Sequence, residues 1–453
     1  MESIVPPSSN NISDRQLREK QDKNLRKLRF LISQAYSTYN KGEVAIGISI
    51  IESIQRIAPG SEISIMTPAP EQASEQYSNY AVDIYPRLLN VSAKRHRGIN
   101  KIIGYSEILM KIIAYLMSTK IRVPVSKDCK RSLELIRKSD VLIIAGGGTF
   151  GGAKYRSISG NLFPIYLAKK FKKKVIVYGP SIEPFTSQIV KRLTKYSLNF
   201  ADIITVRERF TYDLLKSLDI KTPVYLTADP AFLIGNESKE VGRELLSKAG
   251  LERNTNGRLI GITIRDWNFS RDENAAAKRA HYLATFKDSI EQILKENPDD
   301  QVVIFTTSIN SAFRDDDRET AKSTKSLIDD SLAQRILILT EDYTPQQIKG
   351  MIASMDIFIA TRFHSAVFAL SMNVPVMMIV TEPHKNRGVM EMIGLSDFVL
   401  DATSITKETF LSTLYKLTEQ RHLLSQEISR NFPSVKSKSI QNEELLRRLS
   451  SDI

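Results

Sequence analysis

The densest chemistry in the sequence lies in Ile357-Phe-Ile-Ala-Thr-Arg-Phe-His-Ser365, an apolar run that ends in Arg362 and His364 before a second apolar stretch at 366–372. An imidazole suits proton transfer near neutral pH. A guanidinium presents a fork that matches carboxylate or phosphate. A helix starting here would add the anion preference of its N-terminus. Other apolar runs end in the same way. Gly261-Ile-Thr-Ile-Arg-Asp266 delivers Arg265, and Ile203-Ile-Thr-Val-Arg-Glu-Arg209 delivers Arg207. Val380-Thr-Glu-Pro-His-Lys-Asn-Arg-Gly388 delivers Lys385 beside Glu382, His384 and Arg387. In Ala228-Asp-Pro230, Asp229 is placed either to orient an arginine or to cap a turn. The run from Val141 ends in Gly146, Gly147 and Gly148, whose backbone can approach a ligand closely and whose N–H groups can cradle an anion. Their spacing is neither the P-loop nor the dinucleotide fingerprint. Arg207, Arg265, Arg362, His364 and Lys385 are expected to converge on a cationic cleft. Crowded cations are costly without an anion, so a small dianionic or trianionic ligand is expected there. The plainer alternatives are Arg207 paired with Asp202 or Glu208, a glycine run that only turns the chain, and a solvated 380–388 loop.

These residues need strands to carry them to one place. Short β-branched runs at 28–33, 62–66, 141–145, 174–178, 203–206 and 224–227 alternate with helical patterns such as 43–57 and 187–199. That alternation is the signature of βαβ units. The polar stretch 235–257 reads as a passage, after which a second series follows at 259–264, 301–306, 335–339, 357–360, 374–380 and 398–400. The expectation is an α/β protein of two facing Rossmann-like, doubly wound domains, at 28–235 and 258–405, joined by a linker at 236–257. A polar tail at 1–27 precedes them, and C-terminal helices at 406–453 pack back across both. Ligands in such sheets bind beyond the carboxyl ends of the strands, where every residue singled out above lies.

Composition narrows the classes. The chain has 453 residues, 42% hydrophobic and 25% charged, with a net charge of +13. That suits a packed protein of more than one domain rather than a disordered chain. A single cysteine, Cys129, and five histidines exclude a disulfide framework and a Cys-rich zinc module. No HExxH or GxSxG motif and no paired catalytic carboxylates are present, and no nucleic-acid module is recognisable. Neither a metal nor a cofactor is expected. The polar N-terminus has no apolar segment of the kind a secretory signal carries, so a cytoplasmic location is expected. Residues 91–138 hold twelve Lys/Arg against three acidic residues, with apolar positions near helical spacing from Ile102 to Met117. The expectation is either a solvated basic face or a peripheral contact with an anionic membrane at its inner face.

Taken in order, Gly146–Gly148, Thr205–Glu208, Ala228-Asp229-Pro230, Thr361-Arg-Phe-His-Ser365 and Lys385–Gly388 with Met390-Glu391 resemble the polysaccharide pyruvyl transferase family across about 31–401. The family's Asn-x-Gly-Asp element stands here as Asn40-Lys41-Gly42-Glu43. The resemblance implies a GT-B-like fold and transfer of the pyruvyl group of phosphoenolpyruvate to a sugar, with a cyclic ketal formed and phosphate released. It implies His364 and Arg362 as catalytic residues, Arg265, Lys385 and Arg207 on the donor, and Gly146, Gly147, Gly148, Asn40 and Glu43 on the acceptor side. Its partners would be phosphoenolpyruvate and a polysaccharide or lipid-linked sugar, with no nucleic acid. The competing readings are a GT-B glycosyltransferase gripping a nucleotide sugar through Glu382 or Glu391, and a non-catalytic protein that binds anionic glycan or membrane.

Overall fold

The structure is a computed structural model that describes residues 27–33, 39–88, 127–151, 161–267, 274–310, 315–380 and 383–453. Seven parallel strands form the first sheet: β1 (Arg29–Ser33), β2 (Glu62–Thr67), β3 (Asp83–Pro86), β4 (Val141–Gly151), β5 (Lys174–Glu183), β6 (Ile203–Val206) and β7 (Val224–Leu226). Their order is β3-β2-β1-β4-β5-β6-β7. The helices of this half are α1 (Lys41–Ile57), α2 (Pro70–Gln76), α3 (Lys127–Lys138), α4 (Phe163–Lys170), α5 (Gln188–Leu198) and α6 (Arg209–Ser217). The second half opens with α7 (Lys239–Lys248), β8 (Leu259–Ile262), α8 (Ala275–Glu296) and β9 (Gln301–Phe305). A small antiparallel hairpin of β10 (Ile309–Asn310) and β11 (Asp315–Asp316) follows. Next come α9 (Asp317–Lys325), α10 (Asp330–Ala333), β12 (Ile336–Leu339), α11 (Pro345–Ile352), β13 (Ile357–Ala360), α12 (Phe363–Ser371), β14 (Val376–Val380), α13 (Pro383–Ile393) and β15 (Val399–Asp401). The second sheet runs β12-β9-β8-β13-β14-β15. Two helices, α14 (Lys407–Glu419) and α15 (Arg421–Ser451), close the chain.

Both sheets reverse strand order once, between β1 and β4 and between β8 and β13. These are the two crevices where a doubly wound sheet offers a ligand site. The central strands are continuous apolar runs because helices cover both faces; β6, β8 and β13 are buried throughout. Helix α1 shows the same logic. Asn40 caps it through Gly42 N–H, and twelve of its seventeen residues are buried, because neighbours surround it on almost every side. It packs on α11, α12 and α15. Among the apolar residues it buries are Val44, Ile48 and Ile51, all below 3% exposed. Each such side chain contributes about 1.5–3 kcal/mol.

All twelve expected strands are present, and two of them run at least five residues past their expected ends. Strand β4 continues through the glycines to Gly151, and β5 continues to Glu183 beside it. Strand β3 was not foreseen; it is a short edge strand ending in Pro86, where alternation carries little signal. The polar stretch read as a linker contains helix α7. Ser238 caps it, and Gly242 lies so close to Gly350 of α11 that a Cβ would meet that backbone carbonyl at 2.1 Å. Few large apolar residues are needed where two helices meet on glycine. Helix α15 returns to the first sheet as expected. Asn442 takes the Thr227 hydroxyl and donates to the Ala228 carbonyl, and the Ser439 hydroxyl donates to the Asp229 carbonyl.

Candidate active site

Three side chains from separate elements meet between the sheets. Arg207 leaves β6, Asp229 opens the short 3-10 turn Pro230–Leu233 after β7, and His364 stands in the first turn of α12. Arg207 Nη1 donates to Asp229 Oδ2 at 2.5 Å, and Arg207 Nε donates to Ser181 Oγ at 2.8 Å. His364 Nε2 lies 3.5 Å from Arg207 Nη1 and 3.6 Å from Asp229 Oδ2. The guanidinium also stacks on Phe363, 4.4 Å from the ring centre. Asp229 is 1% exposed. Burial alone would push its carboxyl up, but Arg207, His364 and the Ala231 N–H together hold it well below the usual carboxylate range. Of the two roles expected for Asp229 it fills both: Oδ2 takes the arginine and Oδ1 caps the turn through Ala231 N–H. Glu208, offered as a partner for Arg207, instead caps α6.

Arg362 is the N-cap residue of α12 and is buried with Asp317, the first residue of α9. Its Nε and Nη2 reach one carboxylate oxygen of Asp317, at 3.1 and 2.5 Å. The other oxygen accepts the backbone N–H groups of Thr307 and Ser308, both at 2.9 Å. Those two residues also face the first half of the chain. Lys41 N–H donates to the Thr307 carbonyl, Ile309 N–H donates to the Tyr39 carbonyl, and Asn40 pairs with Ser308 as an antiparallel bridge. Lys41 itself is 1% exposed and forms an ion pair with Asp342 across the cleft. Burial lowers its pKa, and Asp342 works against that fall.

Arg265 follows β8. Its N–H donates to Thr361 Oγ1 at 2.9 Å and its guanidinium lies 4.3 Å from the centre of the Trp267 ring. Arg265 and Arg362 both act on the buried Tyr282 phenol, whose pKa is raised by desolvation in spite of them. The two strand exits are stitched by hydroxyls: Thr361 N–H donates to Thr263 Oγ1, and Thr263 and Ser365 hydroxyls lie 3.1 Å apart.

The glycines and the start of α1 complete the wall. A Cβ on Gly42 would sit 1.9 Å from His364 Nδ1, so only glycine lets the imidazole lie on this helix end. Gly147 has φ +109°, and a Cβ there would be 2.8 Å from the Glu43 carboxylate. Gly146 lies against the Gly179 carbonyl, and Gly148 lies in the same extended strand β4. Thus Asn40, Glu43, Gly146, Gly147, Arg207 and His364 form one connected wall. Arg362 and Arg265 stand at the adjacent strand exits. Lys385 lies in the first turn of α13, but its side chain, like that of His384, falls outside the described residues, as do Glu382 and residues 91–126. Among the described residues no cluster of three His, Cys, Asp or Glu side chains could hold a metal ion.

One expectation is corrected. Arg207 and Arg362 do not stand as unneutralised cations awaiting a ligand; each is matched by a buried carboxylate of the protein. Asp317 was missed because its partner is 45 residues away. Its only trace in the sequence is the acidic run Asp315-Asp-Asp317 after a strand exit.

Two doubly wound sheets whose carboxyl ends face a shared cleft define a protein of the GT-B glycosyltransferase fold. Solved structures share the arrangement. A glycosyltransferase from Rickettsia africae has a TM-score of 0.53 at 13% identity, covering 95% of this chain and 100% of that one. A UDP-GlcNAc 2-epimerase from Neisseria meningitidis has a TM-score of 0.56 at 13% identity, covering 93% and 100%. Within that fold the chain belongs to the polysaccharide pyruvyl transferase family, which matches residues 40–383. It is also similar to the amylovoran biosynthesis protein AmsJ of Erwinia amylovora. That match is 20% identical over 412 residues, 89% of this chain and 95% of AmsJ.

Proposed function

We propose that this protein moves the pyruvyl group of phosphoenolpyruvate onto two hydroxyls of a sugar, in a polysaccharide or a lipid-linked glycan precursor. The product is a cyclic ketal and the leaving group is phosphate. The observation that carries this reading is the meeting of His364 with Arg207 and Asp229 across the cleft.

The reaction needs a proton on vinyl C3 and attack by one hydroxyl on C2, which gives a tetrahedral adduct. The C2–O bond to phosphate then breaks, and the second hydroxyl closes the ring on C2. Of the two hydroxyl protons released, one balances C3 and the other leaves on phosphate. His364 is the proton-transfer group. Asp229 fixes its orientation and stabilises an imidazolium, while Arg207 holds Asp229 in its charged form. Arg362, Arg265 and Lys385 bind the donor's carboxylate and phosphate, and Arg362 stabilises charge on the departing group. Glu43, Asn40 and the glycines at 146–148 form the acceptor wall, where backbone rather than side chain meets the sugar.

The test is phosphate release from phosphoenolpyruvate with and without a panel of sugars, beside thermal shifts with phosphoenolpyruvate and with nucleotide sugars. Acceptor-dependent release and a phosphoenolpyruvate shift are expected. A nucleotide-sugar shift alone would assign glycosyl transfer instead, and glycan binding without phosphate release would assign a binding protein.

A further inference from the structure

Helix α5, Gln188-Ile-Val-Lys-Arg-Leu-Thr-Lys-Tyr-Ser-Leu198, is built inside out. Its buried face is Val190, Thr194, Ser197 and Leu198, half of it hydroxyl-bearing. Its outward face carries Ile189 at 60% exposure, Leu193 at 38% and Tyr196 at 59%. These three follow the i, i+4, i+7 spacing of one helical stripe. The other exposed large hydrophobics among the described residues are scattered, with no other helix carrying three on one face. Single exposed apolar residues need no explanation, but a stripe does.

Charge says what the stripe meets. Around the helix axis Arg192 borders the apolar stripe, and Lys195 and Lys191 continue the same flank. The helix has no acidic residue. It packs on α4, which ends in Lys170 and in Lys169, the latter paired with Asp202, and α4 packs on the basic helix α3; Lys195 lies 4.0 Å from Asp219, at the rim of the flank. Apolar residues beside a row of cations, on a helix whose stripe is in water, match the interface of an anionic bilayer, where the stripe enters the acyl boundary and the cations meet headgroups. Among the described residues no helix is long and apolar enough to cross a membrane, so such a contact would be peripheral. Position supports the same partner: α5 starts five residues after Glu183, the end of β5, which pairs with Gly151 beyond the glycine wall.

We propose that the outward face of α5 docks the protein on an anionic lipid surface, with the acceptor wall of the cleft held near it. This reading differs from the expectation placed on residues 91–138, and it does not depend on which group is transferred.

The test is co-sedimentation of the full chain with vesicles of phosphatidylcholine alone or with phosphatidylglycerol added. Wild type should pellet with the anionic vesicles and be released by salt. I189E/L193E/Y196E should lower partitioning about tenfold or more, and K191A/R192A/K195A should lower it while leaving residual binding. Both variants should keep the wild-type circular dichroism spectrum and release phosphate from phosphoenolpyruvate in the presence of a water-soluble acceptor at the wild-type rate, which separates this proposal from the transfer reading. Wild type indifferent to lipid charge, or a stripe variant that pellets like wild type, overturns the proposal. So does a wild-type dimer that the stripe variant makes monomeric without changing lipid binding, since a second copy would then be what covers the face.

Discussion

Among the described residues two arginine–carboxylate pairs have both partners buried, and they sit on opposite sides of the same cleft. Arg207 and Asp229 belong to the first sheet and touch His364 of the second. Arg362 and Asp317 belong to the second, and Asp317 holds the loop that bonds to Asn40 and Lys41 of the first. Both pairs therefore span the cleft, but by different means. The first reaches a titratable ring and so can bias where a proton sits. The second reaches backbone amides and so ties the Arg362 guanidinium to the contact between the two halves. A buried charge pair is weak evidence of stability in itself, whereas removal of one member is costly. That asymmetry makes the two pairs separable by mutation.

The largest effect is expected at the second pair. D317A leaves Arg362 buried without its carboxylate and frees two amide donors, and should cost about 3–5 kcal/mol in chemical denaturation. D317N, which keeps one of the two acceptor oxygens, should recover part of that loss and should raise the donor KM. At the first pair D229N should cost about 2 kcal/mol and should lower kcat far more than it raises the donor KM, because the ring loses its charged partner. Its pH signature has a definite sign. The Asp229 carboxyl is held below its unfolded value of about 3.9, so its contribution is present above that pH and is lost as pH falls through the lower, folded value. Wild type should therefore lose stability in acid below about pH 4 more steeply than D229N, as read from thermal melts.

A smaller change tests the contact between the halves. G42A places a methyl group on the His364 ring and should cost about 1–3 kcal/mol by overpacking, with activity falling more than stability. The smallest effect should be a gain. Lys349 of α11 is buried, donates to the Ile234 carbonyl, and has its pKa pushed down to about 8 by burial and by Lys436. Between about pH 8 and its unfolded value near 10.4 the unfolded chain binds more protons. Wild-type stability should therefore rise with pH in that window. K349M should lack the slope and be about 1–2 kcal/mol more stable at neutral pH. Since Lys349 touches neither pair, transfer kinetics should not change.

How much of this could be read from residues alone depends on distance along the chain. The positions of Arg207, Arg265, Arg362 and His364 were legible because a doubly wound sheet puts each residue after an apolar run at the same edge. The glycine wall was legible for the same reason. What the arginines and Lys41 pair with was not, since Asp317, Ser181 and Asp342 become partners only once β9, β5 and β12 are laid beside their neighbours. Helix α7 was hidden because its packing rests on Gly242 rather than on large apolar residues. The outward stripe of α5 was hidden because periodicity marks an apolar face without telling which way it points.

The most direct test of the central claim follows labelled pyruvyl from phosphoenolpyruvate into a sugar acceptor by wild type and by H364A, with circular dichroism confirming that both are folded. The account predicts an acceptor-dependent ketal with wild type and a fall of at least about 10²-fold with H364A. Equal transfer by the two proteins, or no transfer by wild type to any acceptor while phosphoenolpyruvate leaves its melting temperature unmoved, would contradict it.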